Sequence, residues 1–154
     1  MEKYNDMIEN LRGLNWLDNI GKSIDMNNIE QVSDFNQMIL LIESDEWSNY
    51  VINKIGDLTA YLTKYHKERG KNWNNIVKYI KTNYITELDN LLLSKGMEKK
   101  SVRDDITYNV INIIMADYYS DMYTDQFWNT IYSIYSSGHI VCGFDTKRNV
   151  FLVY

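Results

Sequence analysis

The sequence predicts a mainly α-helical fold, a bundle of about five to six helices with a C-terminal β-hairpin. Three observations predict it. Apolar residues recur at three- and four-residue steps in long stripes from Trp47 to Tyr135. Strands alternating with helices are missing, which argues against a parallel α/β sheet. The last eighteen residues hold two β-type runs, His139–Phe144 and Val150–Tyr154, around the polar stretch Asp145-Thr-Lys-Arg-Asn149, which is a hairpin signature.

Each element has its own local reason. Tyr4, Met7, Ile8 and Leu11 have helical spacing, and Gly13 follows as a stop. Leu17, Ile20 and Ile24 continue a second short helix, which Gly21 weakens. Ser33 is positioned to cap a helix carrying Phe35, Met38, Ile39 and Ile42, and Ser44-Asp45 separates it from the next. Trp47, Tyr50, Val51, Ile55, Leu58, Leu62 and Tyr65 then form one stripe that Gly70 ends. A further helix opens near Asn72, carries Trp73, Ile76, Val77, Ile80, Tyr84, Leu88, Leu91 and Leu92, and stops at Gly96. Ser101 with Asp104 three residues on resembles a capping box, with Val102, Ile106, Val110, Ile113 and Ile114 as the stripe behind it. Thr124 or Asp125 opens the last helix, which carries Phe127, Trp128, Ile131, Ile134 and Tyr135 and closes at Ser137-Gly138. The expected core is Trp47, Val51, Ile55, Leu58, Ile76, Ile80, Leu88, Ile106, Val110 and Ile113. A lone two-stranded hairpin is marginal, so residues 138–154 must cover one end of the bundle or pair with another edge.

The 154 residues suit one domain, residues 1–154, and 45% hydrophobic content supplies a sizeable core. Proline is absent, so Gly, Asn, Asp and Ser must make the breaks. The longest apolar run, Met38–Ile42, is far short of the ~20 residues that span a bilayer. The charged N-terminus, Met1-Glu-Lys-Tyr-Asn-Asp, lacks the apolar segment of a secretory signal. Cys142 is the single cysteine, so no internal disulfide forms. These features point to a cytoplasmic protein without a membrane partner.

The net charge of −5 is unevenly spread. Residues 1–63 carry eleven acidic and four basic side chains, residues 64–100 four and nine, and residues 101–154 six and three. An acidic chain is a poor general binder of nucleic acid, whose affinity comes largely from phosphate neutralisation. It suits a basic protein better.

No catalytic, metal-binding or cofactor-binding residue is expected, and the chain does not read as an enzyme. His139 and Cys142 stand three apart, and in a regular strand such residues point to opposite faces. Only a bulge near Gly138 or Gly143 would bring thiol and imidazole within reach. A structural zinc site wants about four Cys or His ligands, and His66, His139 and Cys142 are all there are. Cys142 is therefore expected in the core, with His139 packing or capping the hairpin entry.

Asp117, Asp121 and Asp125 share a face if their helix is unbroken. A bound cation is one reading, although helical di-metal sites also use Glu-x-x-His, which this chain lacks. A plain solvated acidic face is another. The third is a docking surface, because Tyr118, Tyr119, Met122, Tyr123 and Trp128 interleave with the carboxylates. Tyrosine and tryptophan dominate interface hot spots, and neighbouring Tyr118 and Tyr119 cannot both face one core stripe. The expected partner-binding residues are Asp117, Tyr118, Tyr119, Asp121, Tyr123 and Asp125. The basic stretch from Lys64 to Lys81, with Tyr65, Trp73 and Tyr79, is the candidate nucleic-acid surface, against the alternative of a solvated helix corner.

The C-terminal pattern resembles that of small bacterial immunity proteins of polymorphic-toxin and contact-dependent growth inhibition systems. The residues that carry it are Tyr135, Gly138-His139, Cys142-Gly143-Phe144 and Val153-Tyr154, about twenty positions of the chain. The resemblance implies a cytosolic, non-enzymatic protein that binds and neutralises a cognate toxin domain. Many nuclease toxins are basic, and an acidic, tyrosine-rich inhibitor suits such a target. The alternatives are a nucleic-acid-binding regulator using residues 64–81 and an oligomerisation module.

Overall fold

The computed structural model describes residues 17–65, 67–118 and 126–154. The elements run β1 (Ile29–Gln31), α1 (Phe35–Ile42), α2 (Asp45–Tyr65), α3 (Lys67–Ser94), α4 (Lys100–Tyr118), α5 (Gln126–Ser136), β2 (Val141–Asp145) and β3 (Val150–Val153). The fold is mainly α, as the stripes predict. The chain divides into two compact units, Met1–Ser48 with Gln126–Tyr154, and Asn49–Asp125.

In the first unit the predicted hairpin forms, but it is part of a three-stranded mixed sheet of order β1-β3-β2. β2 and β3 pair antiparallel, and β1 joins β3 in parallel, with Ile29 opposite Phe151 and Gln31 opposite Val153. The Phe151 amide donates to the Asn28 carbonyl at 2.9 Å and the Val32 amide to the Val153 carbonyl at 2.7 Å, so the parallel ladder runs past both ends of β1. The marginal hairpin thus gains a third strand on its β3 edge. α1 and α5 pack against β2.

The turn between β2 and β3 is held by its first residue. Asp145 Oδ1 accepts from the amides of Lys147 (3.0 Å) and Arg148 (3.1 Å), and Asn149 takes the left-handed conformation that asparagine tolerates. Arg148 bridges the carboxylates of Asp145 (2.7 Å) and Glu30 (2.5 Å), tying the turn to β1.

The segment expected as a helix through Leu17, Ile20 and Ile24 is a series of turns instead. Leu17 and Gly21 both have positive φ, at 66° and 75°, which no α-helix accommodates. Its polar groups bond to the end of α5: the Asn19 amide donates to the Gly138 carbonyl and Asn19 Nδ2 to the Ser137 carbonyl at 3.0 Å. Gly138 closes α5 as predicted. Its amide donates to Tyr135 and the His139 amide to Ile134, the paired bonds of a Schellman cap, with Gly138 at φ 90°. Gly96 closes α3 in the same way, through Gly96 to Leu93 and Met97 to Leu92, and Leu92 and Met97 are both buried.

Three helix boundaries differ from expectation. The cap of α1 is Asp34 rather than Ser33, its carboxylate accepting from the Gln37 amide at 2.8 Å. The Val32 bond to Val153 holds the preceding chain in the sheet, so the helix begins one residue later. Gly70 lies inside α3, since a single glycine costs a helix only about 1 kcal/mol and no proline follows to stop it. Ser101 sits in the first turn of α4, whose first carbonyl acceptor is Lys99, bonded by the Arg103 amide. Asp104 pairs back with Lys100 at 3.1 Å, four residues earlier, and Ser101, already inside the helix, is not its cap.

In the second unit α3 packs against α4. Arg103 is buried at the connection between them: Nε meets Asp89 at 2.7 Å, and its guanidinium donates to the carbonyls of Met97 (3.0 Å) and Glu98 (2.7 Å). A buried charge is tolerated because its donors are matched. Of the expected core, Trp47, Val51, Leu58, Ile106 and Val110 are buried and Ile55 and Leu88 half-buried; the side chains of Ile76, Ile80 and Ile113 lie outside the described residues.

The two cap glycines make a matched test. A Cβ at Gly96 meets nothing within 4 Å, whereas at Gly138 it meets the Asn19 backbone nitrogen at 3.2 Å. Gly96→Ala is expected to cost about 1–2 kcal/mol, the left-handed penalty alone. Gly138→Ala adds a clash with backbone and disturbs the Asn19 bonds, so its loss in urea unfolding should be distinctly larger.

Candidate functional site: an aromatic-walled cleft in the first unit

The hydrophobic centre of the first unit is a group of five aromatic rings. The Phe127 ring of α5 lies 5.2 Å from Trp128, 5.3 Å from Phe151, 5.7 Å from Phe144 and 6.4 Å from Trp47, while Phe144 and Phe151 meet across β2 and β3 at 4.7 Å, tilted by 57°. These separations are those at which aromatic pairs attract beyond simple burial. Register sets the group: Phe144 is paired directly opposite Phe151.

An open cleft of about 300 Å³ borders this group. Leu41, Trp47, Phe144 and Leu152 wall it, and Ser44, Glu46, Asp145, Thr146 and Lys147 supply its polar atoms. The corner between α1 and α2 forms one side. The Ser44 amide bonds the Leu41 carbonyl at 3.1 Å, α2 starts at the next residue, and this puts Glu46 and Trp47 in its first turn. Gly143 lies at the β2 side, opposite Leu152, where any Cβ would come within 3.0 Å of Leu152 Cδ1. The glycine lets Leu152 fold across the strand.

The two carboxylates of the cleft differ. Asp145 is engaged by the Arg148 guanidinium and the turn amides, and the Arg148 bond lowers its pKa first of all. Glu46 is exposed and makes no ion pair among the described residues. Trp47 Nε1 is buried with no hydrogen-bond partner among the described residues.

His139 and Cys142 take structural places. β2 does bulge between Val141 and Gly143, at Cys142, the irregularity that could have joined them. Their polar atoms go elsewhere. His139 Nε2 lies 3.2 Å from the Lys22 carbonyl, which can only accept, so this nitrogen carries a proton. Nδ1 faces Ser137 Oγ at 3.3 Å. The Cys142 thiol donates to the Leu152 carbonyl at 3.3 Å. Burial pushes this thiol up to about 12, the reverse of the depressed value that makes a nucleophile. Burial raises the neighbouring Tyr135 phenol too, with Cys142 adding to the shift.

The sequence-predicted docking residues are only partly placed. Asp117 and Tyr118 end α4, with side chains outside the described residues, and Tyr119, Asp121, Tyr123 and Asp125 lie outside them altogether. Of the basic stretch, Lys78 and Lys81 are exposed on α3 and, with Asn74 and Thr82, line a shallow depression. Among the described residues no group of three or more His, Cys, Asp or Glu is placed to hold a metal ion, and no helix is long and apolar enough to cross a membrane. The cleft itself had no signature in the sequence, because its walls come from two segments about a hundred residues apart with no shared local pattern. Comparison with protein-family models, curated proteins and solved structures finds no match.

Two outcomes test this description. Phe127→Ala should cost about 3–5 kcal/mol in denaturant unfolding, as for other large aromatic cavities. For Cys142, a folded-state pKa raised from 9.0 to about 12 stabilises the fold fully below pH 9. That contribution is lost as pH rises from 9 towards 12, because the unfolded thiol ionises first. The urea midpoint should fall across this range, and Cys142→Ala should flatten the fall. Native Cys142 should resist iodoacetamide until the protein is unfolded.

Proposed function

We propose that the chain is a binding protein of the immunity type, which captures a basic toxin domain in the cytoplasm and neutralises it by covering its active site. One observation carries the reading: acidic charge gathers in the unit that holds the open aromatic cleft. Met1–Ser48 and Gln126–Tyr154 together carry eleven acidic and five basic side chains. Such a field speeds encounter with a basic partner and disfavours acidic ones. The resemblance of the C-terminal pattern supplies the kind of partner. Its residues build the cleft-bearing unit: Gly138 caps α5, His139 holds the Lys22 carbonyl, and Gly143 and Phe144 line the cleft. The segment from Asp117 to Asp125 is proposed as a second contact surface, with its tyrosines as anchors.

A second reading rests on Lys78 and Lys81, which are exposed and have no ion pair among the described residues. It makes the chain a nucleic-acid-binding regulator.

Pull-down and titration against the product of the adjacent reading frame separates the two. The immunity reading expects tight, specific capture, weakened in the charge-reversed variants Asp121→Lys and Asp125→Lys mainly through slower association. Truncating a central anchor, as in Tyr119→Ala or Tyr123→Ala, should speed dissociation by about 2 kcal/mol or more if it is a hot spot. No capture, with tight salt-dependent RNA or DNA binding lost in Lys78→Glu/Lys81→Glu, would replace it with the regulator.

A further inference from the structure

We propose that the cleft of the first unit is a receptor for one arginine side chain presented by the basic partner. This deepens the reading above and rests on it for the partner's charge. Size is the first argument. About 300 Å³ lies at the lower limit of small-ligand pockets and is ample for one long side chain. The chemistry of the walls is the second. Leu41, Leu152 and Phe144 offer apolar surface for a methylene stem, and the charged head of such a side chain stays at the polar rim.

The rim selects a cation. Glu46 is an exposed carboxylate without an ion pair among the described residues, in a unit whose net charge is −6. Asp145 does not compete for the incoming head, because Arg148 already occupies it. Phe144 lines the same cleft, and a planar guanidinium suits an aromatic wall beside a carboxylate better than a compact ammonium does. Lys147 stands on the same rim and opposes any cation. Its charge therefore sets the affinity in the direction opposite to Glu46.

The experiment titrates the full chain with N-acetyl-arginine methylamide and with its citrulline and lysine counterparts, followed by amide and indole NMR shifts. Arginine should move Gly143, Phe144 and Thr146 and the Trp47 indole N–H, with citrulline at least fivefold weaker and lysine weaker than arginine. Glu46→Gln should weaken arginine roughly fivefold, the scale of a partly exposed ion pair, and Lys147→Glu should tighten it. Both substitutions are at exposed positions, and unchanged spectra away from the cleft verify folding. Equal response to citrulline, shifts centred elsewhere, or indifference to both variants would overturn the proposal. The toxin titration is read separately. Capture of the adjacent-gene product unaffected by Glu46→Gln removes the arginine receptor and leaves the immunity reading. Arginine binding in the cleft without toxin capture removes the immunity reading alone.

Discussion

A central strand must satisfy hydrogen bonds on both edges, and β3 does so with partners from distant parts of the sequence. Its antiparallel neighbour β2 comes through a tight turn, while its parallel neighbour β1 is distant in sequence. Parallel pairing carries this long-range cost, and nothing in a three-residue strand offsets it locally. The first unit is therefore organised around Phe151 to Val153. Phe151 joins the aromatic centre, and Leu152 crosses Gly143 and borders the cleft.

The cap at Gly138 is the second junction. It ends α5, receives the Asn19 amide and places His139 over the Lys22 carbonyl, so three separate stretches meet at one left-handed residue. Gly21 shows the same economy, with Tyr154 Oη only 3.2 Å from where a Cβ would stand. The segment from Gly138 to Gly143 is thus rich in residues that the architecture fixes. Its glycines, histidine and cysteine answer to backbone geometry and burial, and the polar atoms of His139 and Cys142 meet carbonyls within the fold.

Charge and shape converge on the same unit. An acidic excess acts at long range and favours encounter with positive charge, whereas a cleft acts only at contact. Arg148, held between Asp145 and Glu30, already displays the guanidinium–carboxylate pairing that the cleft is proposed to offer a partner. Glu46 stands exposed in the first turn of α2, directly after the corner at Ser44.

What the sequence by itself determined is what local physics specifies. The spacing of Trp47, Val51 and Leu58, and of Ile106 and Val110, made helices with a buried face. Gly96 and Gly138 ended them, because only glycine enters the left-handed cap cheaply. Asp145 to Asn149 made a turn between two β-type runs. Tertiary structure decided the rest. Leu17 to Ile24 has helical spacing, yet its polar groups found better partners at the end of α5. Ile29 to Gln31 became a strand because β3 presented an open edge. Arg103 was buried because Asp89 and two carbonyls converged on it. The cleft followed from these pairings: its walls are ordinary core residues in sequence, and only the packing of the α1–α2 corner beside the β2–β3 turn makes them a surface.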